Sequence, residues 1–316
     1  MGRVMNGIHK DRIDEILGKI GQIDMQFGPL PSIASAQRRL CWAQQIVSSL
    51  RRISYTDTLL TRGVNAGRRD PHSGIFDPVR GVLHFQREGR LDEAVWLTFI
   101  LTHFGKHAVD EWKLAANVYG SFGAGPVWTF AQYAANPAGF ENMLGANSGS
   151  LADASISGSF SNHRKFQSKK PLAIAKTFQT YYEWQTEFGG FRERMIATHE
   201  RVGQEPQAAF DALYKSMKGV FGFGGGRLGR FDFLTMLGKL QLAPITPGSV
   251  YLDKATGPVA GARLLFFNNR DHNITGRALE PRVDALDEIL GVGKQVIEDS
   301  LCNWQKSPDA YVYFRG

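Results

Sequence analysis

The sequence predicts a mainly helical protein. Apolar residues recur every three or four positions over most of the 316 residues, which is the spacing of one face of an amphipathic helix. No series of β-hairpins and no alternation of strands with helices is visible, and 43% apolar residues is typical of a globular chain. We therefore expect one large helical domain over residues 1–316, with the Gly/Ser/Asn-rich stretch 145–170 as the candidate division between two lobes.

The helical spacing can be followed along the chain. A first helix is expected over residues 11–27, and after two prolines a second one follows over 32–53. Residues 55–90 are rich in glycine, proline and arginine, which predicts a basic loop region with a short strand at 82–85. The apolar spacing then predicts one continuous helix over 91–119. Further helices are predicted over 172–187, 191–201, 206–220, 228–242, 256–266, 283–290 and 294–304.

Charge and cysteine content restrict the function classes. Lysine and arginine total 37 against 30 aspartates and glutamates, and the net charge of +7 favours phosphate-rich partners such as DNA through counterion release. The two cysteines exclude a multi-cysteine zinc site and a four-cysteine iron–sulfur cluster built by this chain, and we predict neither a metal nor a cofactor. No apolar run approaches about 18 residues, so we expect no membrane partner and a cytoplasmic location, which would be the host cytoplasm for a viral protein.

The first candidate site is the stretch of residues 161–170, which carries four lysines and arginines and no acid. Arginine binds phosphate through a bidentate fork, lysine supplies a point charge, and histidine exchanges a proton near neutral pH. Asn162, Arg164 and Lys165 are therefore candidate phosphate or DNA ligands, and His163 is a candidate for proton transfer. A solvated basic loop without a catalytic role fits the same composition.

A second candidate is the glycine-rich stretch 221–232. Its glycines formally match the dinucleotide-binding pattern, but the preceding segment is predicted to be helix rather than strand, so that fold is excluded. Consecutive glycines before a helix expose backbone N–H groups that attract anions. Arg227 and Arg230 share one face of that helix and are candidate phosphate ligands, although a flexible turn between helices fits equally.

The third candidate is a polar stripe within the predicted helix 91–119. At helical spacing His103, His107, Asp110 and Glu111 would lie on one side, where the first three are candidate catalytic groups. The stripe is not a zinc-protease motif, because a phenylalanine follows His103. A hydrogen-bonded stripe in a cleft and plain helix packing are the alternatives.

The fourth candidate lies between the last two predicted helices. Gly291, Val292, Gly293 and Lys294 resemble the turn of a helix-hairpin-helix module, in which backbone N–H groups contact DNA phosphates. Gly291, Gly293 and Lys294 are therefore candidate DNA ligands. Short Gly-Val-Gly turns also occur in proteins that bind no DNA.

Several short segments together form a recognisable set. They are Phe-Asp-Pro at 76–78, His-Phe-Gly-Lys-His at 103–107, Asn-His-Arg-Lys-Phe at 162–166, the glycine-rich stretch 224–230, and residues 251–258 with Gly-Ala-Arg at 261–263. This set resembles the α-glutamyl/putrescinyl thymine pyrophosphorylases, and within them the third clade, over roughly residues 40–305. The resemblance implies a helical fold similar to that of DNA glycosylases and the modification of thymine in DNA, often in bacteriophages.

The implied reaction is a transfer to an activated base. A 5-hydroxymethyluracil that carries pyrophosphate loses it, and an amine such as an amino acid or putrescine takes its place. His163 or His103 would accept the proton of the amine, and the base must be flipped or single-stranded to be reached. The basic residues that would neutralise the departing pyrophosphate are Arg164, Lys165, Arg227 and Arg230, and the aromatic residues that would stack on the base are Trp112, Tyr119 and Trp128.

Two other functions remain open at this point. A DNA glycosylase-like enzyme that excises a base would need a carboxylate or lysine near the flipped sugar. After Lys294 the nearby acids are Glu298, Asp299 and Asp309, which is a short stretch for a catalytic aspartate. A helical DNA-binding module without enzymatic activity, using the turn at residues 290–297, is the second alternative.

Overall fold

The computed structural model describes residues 9–223 and 227–314. Within these ranges the protein is mainly helical, as the periodicity predicts, and it contains no β-strand beyond an isolated bridge. No helix in the described part is both long and apolar enough to span a bilayer. The sixteen α-helices of these ranges are α1 (Lys10–Phe27), α2 (Ala36–Thr61), α3 (Pro78–Arg87), α4 (Leu91–Phe104), α5 (Lys113–Tyr119), α6 (Phe130–Ala135), α7 (Pro137–Ala146), α8 (Ser148–Ala152), α9 (Ala154–Ser157), α10 (Pro171–Thr186), α11 (Phe191–Val202), α12 (Pro206–Ser216), α13 (Arg227–Lys239), α14 (Gly257–Phe267), α15 (Gly276–Leu290) and α16 (Lys294–Trp304).

The helices divide into two compact units. The first comprises the described residues up to Asp57 together with those from Pro247 onward, and the second comprises Thr58–Thr246. Residues 145–170 all lie within the second unit.

The core of the first unit is built by amphipathic helices. The isoleucines of α1 recur at three- and four-residue spacing and are all buried, so one stripe of this helix faces the core. Trp42 and Trp304 pack with their ring centroids 6.1 Å apart, and the indole N–H of Trp42 donates to the Ser300 hydroxyl at 3.3 Å. The buried isoleucines of α1 are Ile13, Ile16, Ile20 and Ile23.

The second unit is organised around α4. Every residue of this helix from Glu93 to Phe104 is buried, which is the pattern of a helix surrounded by others on all sides. Trp96 at its centre contacts several aromatic rings, among them Phe178 and Tyr181. The buried Glu93 carboxylate accepts the N–H groups of Phe130 and Ala131 at the start of α6 (2.8 and 3.2 Å), so its charge is satisfied.

Three local predictions are wrong. Residues 82–85 belong to α3, because Asp77 caps this helix and Pro78 occupies its first turn. The predicted helix 91–119 is interrupted after α4, where Gly105 adopts a positive φ of 66°. The stretch 145–170, whose Gly/Ser/Asn-rich composition predicts a loop, contains α8 and α9.

Candidate active site

Three of the sequence motifs meet at the carboxyl end of α4. The N–H of Ser161 donates to the Phe104 carbonyl at 3.0 Å, and Nε of Arg164 donates to the Thr102 carbonyl at 2.7 Å. These bonds satisfy carbonyl groups that would otherwise lack partners at the end of the helix. Nη2 of Arg164 also donates to Oδ2 of Asp232 on α13 at 2.7 Å. Arg164 therefore joins its own 161–170 stretch to the end of α4, next to the 103–107 motif, and to the 221–232 stretch.

The absence of a side chain at Gly105 allows the 161–167 loop to lie directly against the end of α4. A Cβ at this position would overlap Oγ of Ser161, and the positive φ also favours glycine. Gly105 is thus required both to end α4 and to admit the loop that carries Arg164.

The Arg164 side chain is buried, with 3% of its surface exposed. Its charge is balanced by Asp232, whose carboxylate is about a third exposed. Nη1 of Arg164 has no hydrogen-bond partner among the described residues, although it is buried. A buried donor of this kind is energetically costly and is rare in folded proteins.

His103 lies beside Arg164 in an aromatic environment. Its ring is buried, and neither ring nitrogen has a hydrogen-bond partner among the described residues. Burial, and after it the positive charge of Arg164, lowers the pKa of His103 to about 3. The imidazole is therefore neutral at physiological pH. The rings around it belong to Phe99, Phe104, Phe160, Phe178 and Phe223.

The residues on either side of Arg164 point outward. Asn162, His163 and Lys165 are exposed, whereas Arg164 between them is buried. The reason is a pair of successive turns, in which the Arg164 N–H donates to the Ser161 carbonyl and the Arg164 carbonyl accepts from Gln167, each at 2.8 Å. The proposed proton acceptor His163 and the buried His103 are therefore in opposite environments.

The predicted helical stripe of polar residues is wrong. His107 and Asp110 lie in the 105–112 turn and not on the helix with His103, because α4 ends at Phe104. The backbones of His107 and Glu111 pair across this turn, and Nδ1 of His107 accepts the Asp110 N–H at 3.1 Å. The histidine thus closes its own turn. Among the described residues no group of three potential ligands is arranged to hold a metal ion.

Arg227 and Arg230 are both buried on α13. The Arg227 guanidinium lies 4.5 Å from the Phe231 ring centroid, and that of Arg230 lies 4.1 Å from the Tyr214 ring. Nη1 of Arg230 also donates to the Tyr214 carbonyl at 2.9 Å, which ties α13 to α12. Glycines 224–226 lie outside the described residues, and phosphate binding at this turn stays a prediction.

The hairpin-like turn in the first unit lies between α15 and α16, as predicted. Gly291 and Gly293 have positive φ angles of 59° and 90°. The N–H groups of Val292 and Gly293 donate to Oδ1 of Asp287 at 3.0 and 2.8 Å, and Nζ of Lys294 donates to the Asp284 carbonyl. An internal carboxylate thus occupies amides that a DNA phosphate would use, and DNA binding by the turn stays a prediction.

Two of the aromatic residues considered for base stacking belong to the core. Tyr119 and Trp128 are buried, while Trp112 is partly exposed. Sequence reasoning also missed Asp232, the partner of Arg164. Its only signal was a position within the glycine-rich motif, because nothing local connects it with residue 164.

Two cavities lie apart from these residues. They have volumes of about 480 and 310 Å³, and both are lined by Arg201 of α11 and Ser216 of α12. None of the candidate site residues lines either cavity.

We call the contacts of Arg164 with the Thr102 carbonyl and the Asp232 carboxylate the junction at Arg164. The fold and this junction define a helical protein whose glycine-rich and basic stretches meet at a buried arginine and a buried histidine. The chain belongs to the alpha-glutamyl/putrescinyl thymine pyrophosphorylase family, clade 3, whose family model matches residues 37–316. No curated protein and no solved structure matches the chain. The family is named for an activity on hypermodified thymine, which agrees with the resemblance in the sequence motifs.

Proposed function

We propose that the protein is a transferase that replaces pyrophosphate on an activated 5-hydroxymethyluracil in DNA by an amine. The observation that carries this proposal is the junction at Arg164, where the 161–170 and 221–232 stretches meet the end of α4 around one buried cation, in a chain of a thymine pyrophosphorylase family. In the reaction the bond between the exocyclic carbon and the pyrophosphate oxygen breaks, and its electron pair leaves with pyrophosphate. A carbon–nitrogen bond forms, and the attacking amine gives up one proton.

The leaving group needs positive charge as it departs. Lys165 is exposed on the 161–167 loop, and the Arg164 junction holds this loop against α4. Electrostatic stabilisation by positioned cations is often the largest contribution to this kind of catalysis. We assign Lys165 the contact with pyrophosphate and Arg164 the role of a positioning residue.

The two candidate histidines have different capacities as a base. A group with a pKa of about 3, such as His103, is too weak a base to hold a proton near neutral pH. His163 is exposed on the same loop as Lys165, where an incoming amine can reach it. We therefore favour His163 as the proton acceptor. We expect the target base to be flipped or single-stranded, because enzymes that carry out chemistry on a base bind it outside the base stack.

The test is incubation of the protein with DNA containing pyrophosphorylated 5-hydroxymethyluracil and a pool of amines and amino acids. We expect a nucleoside that is heavier than 5-hydroxymethyldeoxyuridine by the mass of the amine less one water, together with released pyrophosphate. Unchanged nucleosides contradict the proposal. Release of a free base with an abasic site would replace it by the glycosylase alternative.

The role of His163 is tested in the same assay. We expect His163→Ala to lose product while it retains DNA binding, and His199→Ala, on α11 of the same unit, to behave as the parent. Product formation by His163→Ala at the parental rate would exclude it as the base.

A further inference from the structure

Three large apolar side chains of the second unit are exposed close to the 161–167 loop. Phe166 is 59% exposed, Leu172 at the start of α10 is 73% exposed, and Phe221 is 41% exposed. Aromatic side chains normally bury their large apolar surface, so an exposed group of them indicates an interaction site. We call the surface formed by Lys165, Phe166, Leu172, Lys176 and Phe221 the Phe166 face.

Specific contacts bring these segments together. Nε2 of Gln167 donates to the Gly222 carbonyl at 2.9 Å, which joins the residues next to Phe166 and Phe221. The Phe221 N–H donates to Oγ1 of Thr180 on α10 at 2.9 Å. Leu172, Lys176 and Thr180 recur every four residues along one side of α10.

The segment that forms most of the face is basic. Residues 161–182 contain five lysines and arginines and no aspartate or glutamate. Nζ of Lys176 lies 5.0 Å from the Phe221 ring centroid, while Lys165 and Lys170 are exposed on the adjoining loop. A second copy of the chain would bring the same charges to this face, so like-charge repulsion disfavours self-association there. The complementary partner is a polyanion.

Single-stranded nucleic acid has groups that complement both the exposed rings and the lysines of this face. Its unstacked bases pack on aromatic rings, and its phosphates pair with lysines. In a duplex the base faces are stacked on each other, so the exposed rings would have no equivalent partner.

We infer that the Phe166 face binds the unpaired DNA that flanks the reacting base, with Phe166 and Phe221 stacked on bases and Lys176 on a backbone phosphate. This inference rests on the proposed function, because it takes the substrate to be DNA. It places the binding of unpaired nucleotides on the outer side of the loop whose inner side carries Arg164.

The experiment measures the affinity of the full-length protein for a labelled single-stranded oligonucleotide and for the matching duplex by fluorescence anisotropy. The variants are Phe166→Ala and Phe221→Ala, and Phe188→Ala is the matched control. Phe188 is likewise an exposed ring under a cation, Arg194, at 5.0 Å, but it lies on a different segment. Thermal unfolding verifies that all variants remain folded.

We expect each of the two face variants to lose about fivefold or more in affinity for the single strand, because stacking on one ring contributes about 1–3 kcal/mol. Affinity for the duplex should change less than twofold, and Phe188→Ala should bind both as the parent does. Lys176→Gln should reduce the salt slope of single-strand binding by about one.

The results separate this inference from the proposed function. If the parent binds DNA and forms product while both face variants keep full single-strand affinity, the inference is wrong and the proposed function stands. The inference is also wrong if the face variants lose equal affinity for the single strand and the duplex. It is equally wrong if they keep their DNA affinity but change the oligomeric mass of the protein in sedimentation, because the face would then bind a second copy of the chain. A parent protein that binds no DNA at low salt overturns both.

Discussion

Nη2 of Arg164 lies 2.7 Å from Oδ2 of Asp232, a residue 68 positions further along the chain. This ion pair fixes the buried end of the 161–167 loop to α13, while Nε of Arg164 fixes the same loop to α4. The guanidinium thus fixes the buried side of the loop that presents His163 and Lys165 to the outside. Its geometry predicts how the junction responds to substitution.

Removal of the Asp232 carboxylate should destabilise the protein. Asp232→Ala leaves the Arg164 charge buried without a counterion, and we expect a loss of about 2–4 kcal/mol in the free energy of unfolding. Asp232→Asn keeps a hydrogen-bond acceptor and should lose less. Urea denaturation measures both. Asp211→Ala, which removes the partner of the exposed Lys215, is the control and should change stability by less than about 0.5 kcal/mol. Equal effects of Asp232→Ala and Asp211→Ala would contradict the buried pair.

Gly105→Ala should destabilise through two separable causes. One is the positive φ of 66°, which costs a non-glycine residue about 1 kcal/mol or more, and the other is overlap with Ser161. Gly203→Ala isolates the first cause, because Gly203 also has a positive φ but no atom lies within 4 Å of its added Cβ. We expect the larger loss for Gly105→Ala and partial recovery on adding Ser161→Gly. Identical losses at the two glycines would mean that the loop does not approach Gly105.

The buried His103 should make stability depend on pH. Its folded pKa of about 3 lies below the ordinary unfolded value of about 6.5, so below pH 6.5 the unfolded chain binds a proton that the folded protein excludes. His103 therefore does not reduce the free energy of unfolding above about pH 6.5. Below that pH its contribution lowers the free energy of unfolding by about 1.4 kcal/mol per pH unit, down to about pH 3.

Urea unfolding at pH 7.5, 6 and 5 measures this slope. Other groups titrate in the same pH range. The informative quantity is therefore the difference between the pH slope of the parent and that of His103→Leu, which should lack the contribution of His103. His199→Ala should retain it. A His103→Leu slope equal to that of the parent would show that His103 is accessible to protons in the folded state.

Asp287 should stabilise the turn between α15 and α16. Its carboxylate accepts the N–H groups of Val292 and Gly293, and hydrogen bonds to a charged group contribute about 1.5–3 kcal/mol. We expect Asp287→Ala to lower the free energy of unfolding by about 2 kcal/mol, while Asp14→Ala on the exposed side of α1 leaves it nearly unchanged. If Asp287→Ala is as stable as the parent, the turn does not depend on this carboxylate.

DNA binding should be strongly salt-dependent. The net charge of +7 implies release of counterions from phosphates on binding, so affinity should fall at least about tenfold between 50 and 200 mM salt. Anisotropy titrations over this range measure the slope. Binding that is independent of salt would contradict a phosphate-based interaction.

Much of the helical architecture follows from the sequence, because periodicity and end signals act within a few residues. The predicted helix 294–304 agrees with α16, and 172–187 agrees with α10 to within a residue at each end. The predicted helix 91–119 was wrong because its apolar spacing does not mark where the helix ends. Apolar spacing continues past Gly105, and only the approach of Ser161 shows why the chain has to leave the helix there.

The residue types at the candidate site were also evident from the sequence, and so was the family resemblance that the family model confirms over residues 37–316. The tertiary structure decided which side chains face inward. In the basic loop Arg164 is buried and its neighbours His163 and Lys165 are exposed. Local sequence contains no signal for this choice, because the groups that compensate the buried charge, the Thr102 carbonyl and Asp232, lie 62 and 68 residues away along the chain.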